Sequence, residues 1–162
     1  RRARAAAAAG ADAVLVVAPH YYMRRMSEAA LRAHFTAVAD ASPLPVLLYN
    51  VPAYAHLVLS PQLVAALAAH PNVIGMKDSA GDLATLERYL AARSDAFRVL
   101  TGSGQTAQQA FALGADGAIL AVALFAGAVA VGMYDAWRAG DAVAAVALQT
   151  TLTPLAKEIV AG

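Results

Sequence analysis

Five short apolar runs, each followed by a turn and then by residues at helical spacing, constrain this chain more than any other feature. The runs cover residues 13–18, 46–51, 73–77, 97–101 and 118–123. Pro19, Pro52 and Gly102 stand directly after three of them. The stretches between carry helix starts. Ser27 precedes Glu28 and the spaced apolar positions Leu31, Phe35 and Val38, Ser60-Pro61 opens a second helix, and Asp82 opens a third. Residues 1–10 read as an alanine-rich helix, and residues 105–113, 127–138 and 141–159 as further helices, the last two split at Gly140. Short hydrophobic strands that alternate with helices run parallel and are joined by right-handed crossovers. The expected class is α/β, with a sheet that either stays open and doubly wound or closes into an eight-stranded barrel.

Composition agrees and removes several alternatives. The chain is 60% hydrophobic and 14% charged, against a usual charged share of about a quarter. That suits strands covered on both faces and excludes disorder. A formal net charge of +1 gives no global reason to expect a nucleic acid partner. Without cysteine there are no disulfides, thiolate metal sites or thiol catalysis. Residues 118–133 are uncharged but contain Gly127 and Gly132, and they fall short of the roughly 20 residues that span a bilayer. No membrane segment is expected, and the default compartment is cytoplasmic. No Gly-x-Gly-x-x-Gly follows the first run and no Walker-type loop occurs, which argues against nucleotide binding.

The chain uses two lysines against ten arginines, yet Lys77 ends an apolar run, and lysine is almost never fully buried unless paired. Strand alternation puts Val73, Gly75 and Lys77 on one face, with Ile74 and Met76 on the other. Leu47 and Tyr49 share a face of the preceding run, so Tyr49 can project from the same end of the sheet. Two readings stand side by side. In one, a desolvated Lys77 amine adds to a carbonyl as a Schiff-base nucleophile, with the Tyr49 hydroxyl relaying protons. In the other, Lys77 snorkels and pairs with Asp78 while Tyr49 is an ordinary core residue. Gly102-Ser103-Gly104 before a helix is a candidate anion nest. Asp78 and Asp82 are either a carboxylate pair or, for Asp82, a helix cap. His20, His34, His56 and His70 lack metal-ligand spacing, and surface or capping roles are expected for His34 and His70.

The motifs Pro19-His20-Tyr21-Tyr22, Tyr49-Asn50-Val51-Pro52 and Gly75-Met76-Lys77-Asp78-Ser79-Ala80-Gly81-Asp82 resemble the dihydrodipicolinate synthase/N-acetylneuraminate lyase family. Leu100-Thr101-Gly102-Ser103 and Gly117-Ala118-Ile119 continue the likeness. The resemblance implies a partial (β/α)8 TIM barrel over residues 1–140, comprising five C-terminal βα units, and the start of a C-terminal helical segment over 141–162. The first three strands would precede Arg1. It also implies class I aldolase chemistry on a small 2-oxo acid with a pyruvate moiety, without metal or other cofactor. By the same likeness Lys77 forms the imine and Tyr49 relays protons. Gly102, Ser103 and Ile119 line the pocket, and Tyr22 reaches an active site across the interface of a homodimer or homotetramer.

Within the family, an arginine usually follows the Tyr-Asn-Val-Pro motif by two residues in the synthase branch, and Tyr54 stands there instead. The 75–82 motif is closer to 4-hydroxy-2-oxoglutarate aldolase, which makes Ser79 a substrate contact. Three functions follow as expectations: that aldolase, a 4-hydroxy-tetrahydrodipicolinate synthase of lysine biosynthesis, and a catalytically silent barrel-like scaffold. The piece expressed alone is expected to be insoluble or molten, and inactive.

Overall fold

The computed structural model describes residues 1–19, 21 and 25–161. The elements run α1 (Arg2–Ala8), β1 (Val14–Val17), α2 (Glu28–Ala41), β2 (Val46–Asn50), α3 (Pro52–Ala55), α4 (Pro61–Ala68), β3 (Val73–Asp78), α5 (Leu83–Leu90), β4 (Arg98–Thr101), α6 (Ala107–Leu113), β5 (Gly117–Ala118), α7 (Ala123–Arg138) and α8 (Ala142–Ala161). The expected helix starts are present because their caps satisfy amides that a helix leaves open. Ser27 Oγ accepts from the Ala30 amide at 3.2 Å and Ser60 Oγ from the Leu63 amide at 3.0 Å. Asp82 Oδ1 accepts from the Ala84 amide at 3.0 Å. None of the described helices is long and apolar enough to cross a membrane.

All strands are parallel, and their order in the sheet is their order in the chain, β1-β2-β3-β4-β5. A doubly wound sheet reverses direction part-way, whereas a barrel wall adds each strand beside the last. The order therefore decides for the partial barrel. One face of the arc carries Val46, Leu48, Val73, Met76 and Val99, all buried against Leu31, Phe35, Leu63, Leu67, Leu86 and Phe111 of the helices. On the other face Leu47 and Tyr49 register with Gly75 and Lys77. Leu100 registers with Lys77 on the far side.

Three expectations change. The strand expected over 118–123 is only Gly117–Ala118. Its neighbour β4 ends at Thr101, whose carbonyl accepts from the Ile119 amide at 2.9 Å, so later residues run past the end of β4 and meet no further strand among the described residues. The alanine- and leucine-rich sequence turns instead through bonds from Ala123 to Leu120 and from Leu124 to Ala121. The helix expected from Gly127 begins at Ala123, and a break at Ala126 (φ −116°, ψ 35°) marks the expected start. Finally, Val73 does not share the face of Lys77. Val46 registers with Val73 but Leu47 with Gly75, so Ile74 is an extra residue. This β-bulge, absent from simple alternation, turns Val73 onto the helix-packed face with Met76.

Gly75 is required by close packing of main chain. A Cβ at that position would collide with the Arg98 carbonyl oxygen of β4. Gly75→Ala in the full-length protein should therefore cost about 1–3 kcal/mol in urea unfolding. Among the described residues β1 pairs only with β2 and β5 only with β4, while Leu15 and Val17 on the open face are 39% and 40% exposed. Unpaired strand edges beside exposed apolar surface favour association. The 162-residue chain expressed alone should aggregate or bind a hydrophobic dye, and a cooperative, monomeric unfolding transition would refute this.

Candidate active site

The parallel register places Tyr49 directly beside Lys77 at the carboxyl ends of β2 and β3, followed by Asn50 beside Asp78. Lys77 is buried at 9% exposure. Its Nζ donates to the Tyr49 hydroxyl at 3.3 Å and stands 4.4 Å from the centre of that ring. The alternative reading, a lysine paired with its neighbour Asp78, fails on geometry. Asp78 projects from the opposite face, where its Oδ1 accepts from Asn50 Nδ2 at 2.7 Å and from the Ala80 amide at 3.3 Å. Among the described residues no carboxylate forms an ion pair with Lys77.

Lys77 and Tyr49 open into a cavity of about 340 Å³ whose lining includes Ser79, Gly102, Ser103, Tyr54, Gln105 and Ile159. Among the described residues Lys77 is the single charged one in that lining. Five of the expected site residues (Lys77, Tyr49, Ser79, Gly102 and Ser103) thus share one cavity. Ile119 does not join them. It follows the short β5 and is 42% exposed, and Ala121 lines the cavity instead. Tyr22 lies outside the described residues.

Gly102 is there because the turn after β4 passes against the site. A Cβ on it would overlap Ser79 Oγ and Lys77 Cε. The anion nest expected at this turn is not formed by its first two amides. Gly102 donates to the Asp78 carbonyl at 2.6 Å and Ser103 to Thr101 Oγ1 at 3.2 Å. Ser103 Oγ accepts from Thr106 Oγ1 at 2.9 Å. Helix α8 holds the far side of the turn: Gln149 Nε2 donates to the carbonyls of Gly104 and Gln105 at 2.9 and 3.2 Å, and its Oε1 accepts from the Gln108 amide at 2.8 Å.

Behind the cavity lies a buried polar cluster that strand periodicity had marked without its being read. Asn50 and Asp78 are polar residues on the apolar, helix-packed face of their strands. Asn50 Oδ1 accepts from the Leu59 amide at 3.0 Å, and the Tyr89 hydroxyl donates to the Leu59 carbonyl at 2.5 Å. Burial pushes the Asp78 carboxyl above its ordinary pKa, against the lowering effect of the Asn50 bond. Burial, and then the Asp78 charge, push the Tyr89 hydroxyl well above the usual phenol range. Asp82 serves its helix: the Thr85 side chain, then the Thr85 and Ala84 amides, hold its carboxyl below the ordinary value. The histidine expectation is met at His70, whose Nε2 lies 3.0 Å from Asp40 Oδ1 while Nδ1 accepts from the Asn72 amide.

An amine and a phenol in hydrogen-bond contact, largely shielded from water, are equipped for nucleophilic addition to a carbonyl with proton transfer.

The chain matches the family described as "Dihydrodipicolinate synthetase family" over residues 1–162. It is 38% identical over 156 residues to a 4-hydroxy-tetrahydrodipicolinate synthase of Methanoculleus marisnigri, covering 96% of this chain and 53% of that protein. Among solved structures it is similar to a Thermus thermophilus protein named as a candidate dihydrodipicolinate synthase, with TM-score 0.91 and 40% identity. That likeness covers 99% of this chain and 56% of the other. An Escherichia coli prophage protein of the dihydrodipicolinic acid synthase family, solved in complex with pyruvate, has TM-score 0.86 and 39% identity over 93% of this chain and 51% of its own. The chain spans about half the length of the relatives it matches. Likeness of sequence along every residue and likeness of fold at this level lead to one assignment: the chain belongs to the dihydrodipicolinate synthetase family.

Proposed function

We propose that the full-length protein carrying this chain is a class I lyase that makes or breaks a carbon–carbon bond to pyruvate through an imine on Lys77. The observation that carries the reading is the contact of Lys77 Nζ with the Tyr49 hydroxyl at 3.3 Å inside the cavity. The pyruvate complex of the E. coli relative supports the choice of donor. Lys77 adds to the C2 carbonyl of a 2-oxo acid and water leaves, forming a protonated imine. In forming the imine the Tyr49 hydroxyl gives its proton to the departing water; in the cleavage direction the resulting phenolate accepts the proton of the 4-hydroxyl, the C3–C4 bond breaks, and its electron pair passes into the imine to give an enamine. Protonation at C3 and hydrolysis release pyruvate and return the amine. Ser79 and Ser103 offer hydroxyls to the substrate within the same cavity, and Gly102 makes room beside the amine.

For the substrate we propose 4-hydroxy-2-oxoglutarate, cleaved to pyruvate and glyoxylate. Two features support this choice over the synthase: the motif over residues 75–82 resembles 4-hydroxy-2-oxoglutarate aldolase, and Tyr54 lines the cavity where the synthase branch usually has arginine. A second reading, 4-hydroxy-tetrahydrodipicolinate synthase, is favoured by the name of the Methanoculleus relative. A homodimer or homotetramer completed by Tyr22 across an interface belongs to the same proposal and rests on the family resemblance.

Borohydride reduction of the full-length protein with pyruvate should leave a covalent adduct on Lys77, read by mass spectrometry; an unmodified Lys77 sinks the imine reading. Tyr49→Phe should retain the adduct while lowering kcat by about a hundredfold to ten-thousandfold. Turnover of 4-hydroxy-2-oxoglutarate should exceed condensation of pyruvate with aspartate semialdehyde, and the reverse order selects the synthase. The isolated chain should show neither activity.

A further inference from the structure

We propose that Asn50 and Asp78 are positioning residues, a buried side-chain tie that holds β2 and β3 in the one register that brings Tyr49 against Lys77. The inference rests on the imine reading and adds to it two residues that touch no substrate. Asn50 and Asp78 are adjacent in sequence to Tyr49 and Lys77 and register with each other across the strands. Their side chains meet at 2.7 Å on the face opposite the cavity, where Asn50 is 1% exposed and Asp78 2% exposed.

The reason such a tie matters is the bulge below it. Between Val46/Val73 and Leu47/Gly75 the pairing skips one residue. Backbone hydrogen bonds are alike in every register, so side chains must select it, and a slip of one residue would turn Lys77 to the helix-packed face. Only the pairs from Leu47/Gly75 to Asn50/Asp78 lie between the bulge and the strand ends. The side-chain bond closes that short segment at its upper end. It can form only in the observed register, because any slip separates the Asn50 amide from the carboxyl.

The same carboxyl shapes the neighbouring wall of the cavity. Asp78 Oδ1 also accepts from the Ala80 amide, which folds the chain back directly after the strand. The Ser79 amide donates to the Asn50 carbonyl at 2.9 Å, and the Gly102 amide to the Asp78 carbonyl at 2.6 Å. Three strand exits (after Asn50, Asp78 and Thr101) therefore converge on one residue pair. On the other side Asn50 Oδ1 holds the Leu59 amide, so the pair is anchored to the segment that leads into α4.

Pyruvate provides a test that does not depend on the second substrate. Exchange of its methyl protons in heavy water, followed by NMR on the full-length protein, requires the imine at Lys77 and a proton relay but no carbon–carbon bond change. Asp78→Ala should lower kcat for exchange by about 10- to 100-fold with KM for pyruvate changed less than about threefold, as expected when reacting groups are displaced. Asp78→Asn, which keeps an acceptor oxygen for the Asn50 amide, should restore kcat to within about threefold of wild type. Asp78→Ser keeps an acceptor for the Ala80 amide but is too short to meet Asn50, and it should behave as Asp78→Ala if the latter does not fold. Tyr89→Phe, which removes a buried hydroxyl from the same cluster without touching the tie, should lower thermal stability and leave kcat of the folded protein unchanged. Equal kcat in wild type, Asp78→Ala and Asp78→Ser would overturn the inference, as would parallel losses in Asp78→Asn and Tyr89→Phe. A wild type that exchanges no protons would overturn the imine reading and this inference with it.

Discussion

The parallel pairing of β2 with β3 is the constraint on which the site depends. Lysine and tyrosine side chains are long, and neither selects the other from sequence. Their meeting follows from a register that sets Tyr49 beside Lys77 and Asn50 beside Asp78. Because successive side chains alternate between faces, that register divides four residues into two working pairs. The amine and phenol face the cavity, while the amide and carboxyl face the helices. One face presents the amine and phenol together, and the other carries the amide–carboxyl bond.

Burying the second pair has a cost that the first pair's position makes worthwhile. A carboxyl placed among core side chains is unfavourable unless hydrogen-bonded, and Asp78 is raised in pKa by its burial. An apolar pair there would pack without that penalty and would also resist a slip, which turns it off the buried face. The hydrogen-bonded pair adds what apolar contacts lack, directional bonds to the Ala80 and Leu59 amides that hold the chain beyond the strand ends. The surrounding polar groups are all partnered, and no buried side-chain nitrogen or oxygen among the described residues lacks a hydrogen bond.

The arc itself explains why the site is open. Sequential parallel order gives a wall with helices on its outer face and a largely apolar inner face, ending in the edges of β1 and β5, which pair with no further strand among the described residues. Helix α8 returns to this wall through Gln149 and contributes Ala156 and Ile159 to the cavity. The late chain thereby supports the turn at Gly102–Gly104 alongside the bond between the Ser103 and Thr106 side chains. The cavity is built from strand ends, one turn and a helix distant in sequence.

Much of this was legible in the residues. Apolar runs of strand length, Ser27, Ser60 and Asp82 as caps, and a lysine at a strand end are local signals, because caps and periodicity act between near neighbours. They sufficed for a parallel α/β fold and for Lys77 and Tyr49 as the chemical candidates. What the tertiary structure decided concerns partners far apart in the chain. The bulge at Ile74, the shortening of β5 where β4 runs out, the exclusion of Ile119 from the cavity and the turning of Asp78 away from Lys77 all depend on which strand lies alongside. Register between segments some 28 residues apart has no local signature, since a bulge costs one residue and leaves the hydrophobic pattern nearly intact. The sequence by itself determined which side chains could react; the pairing of β2 with β3 decided which of them meet.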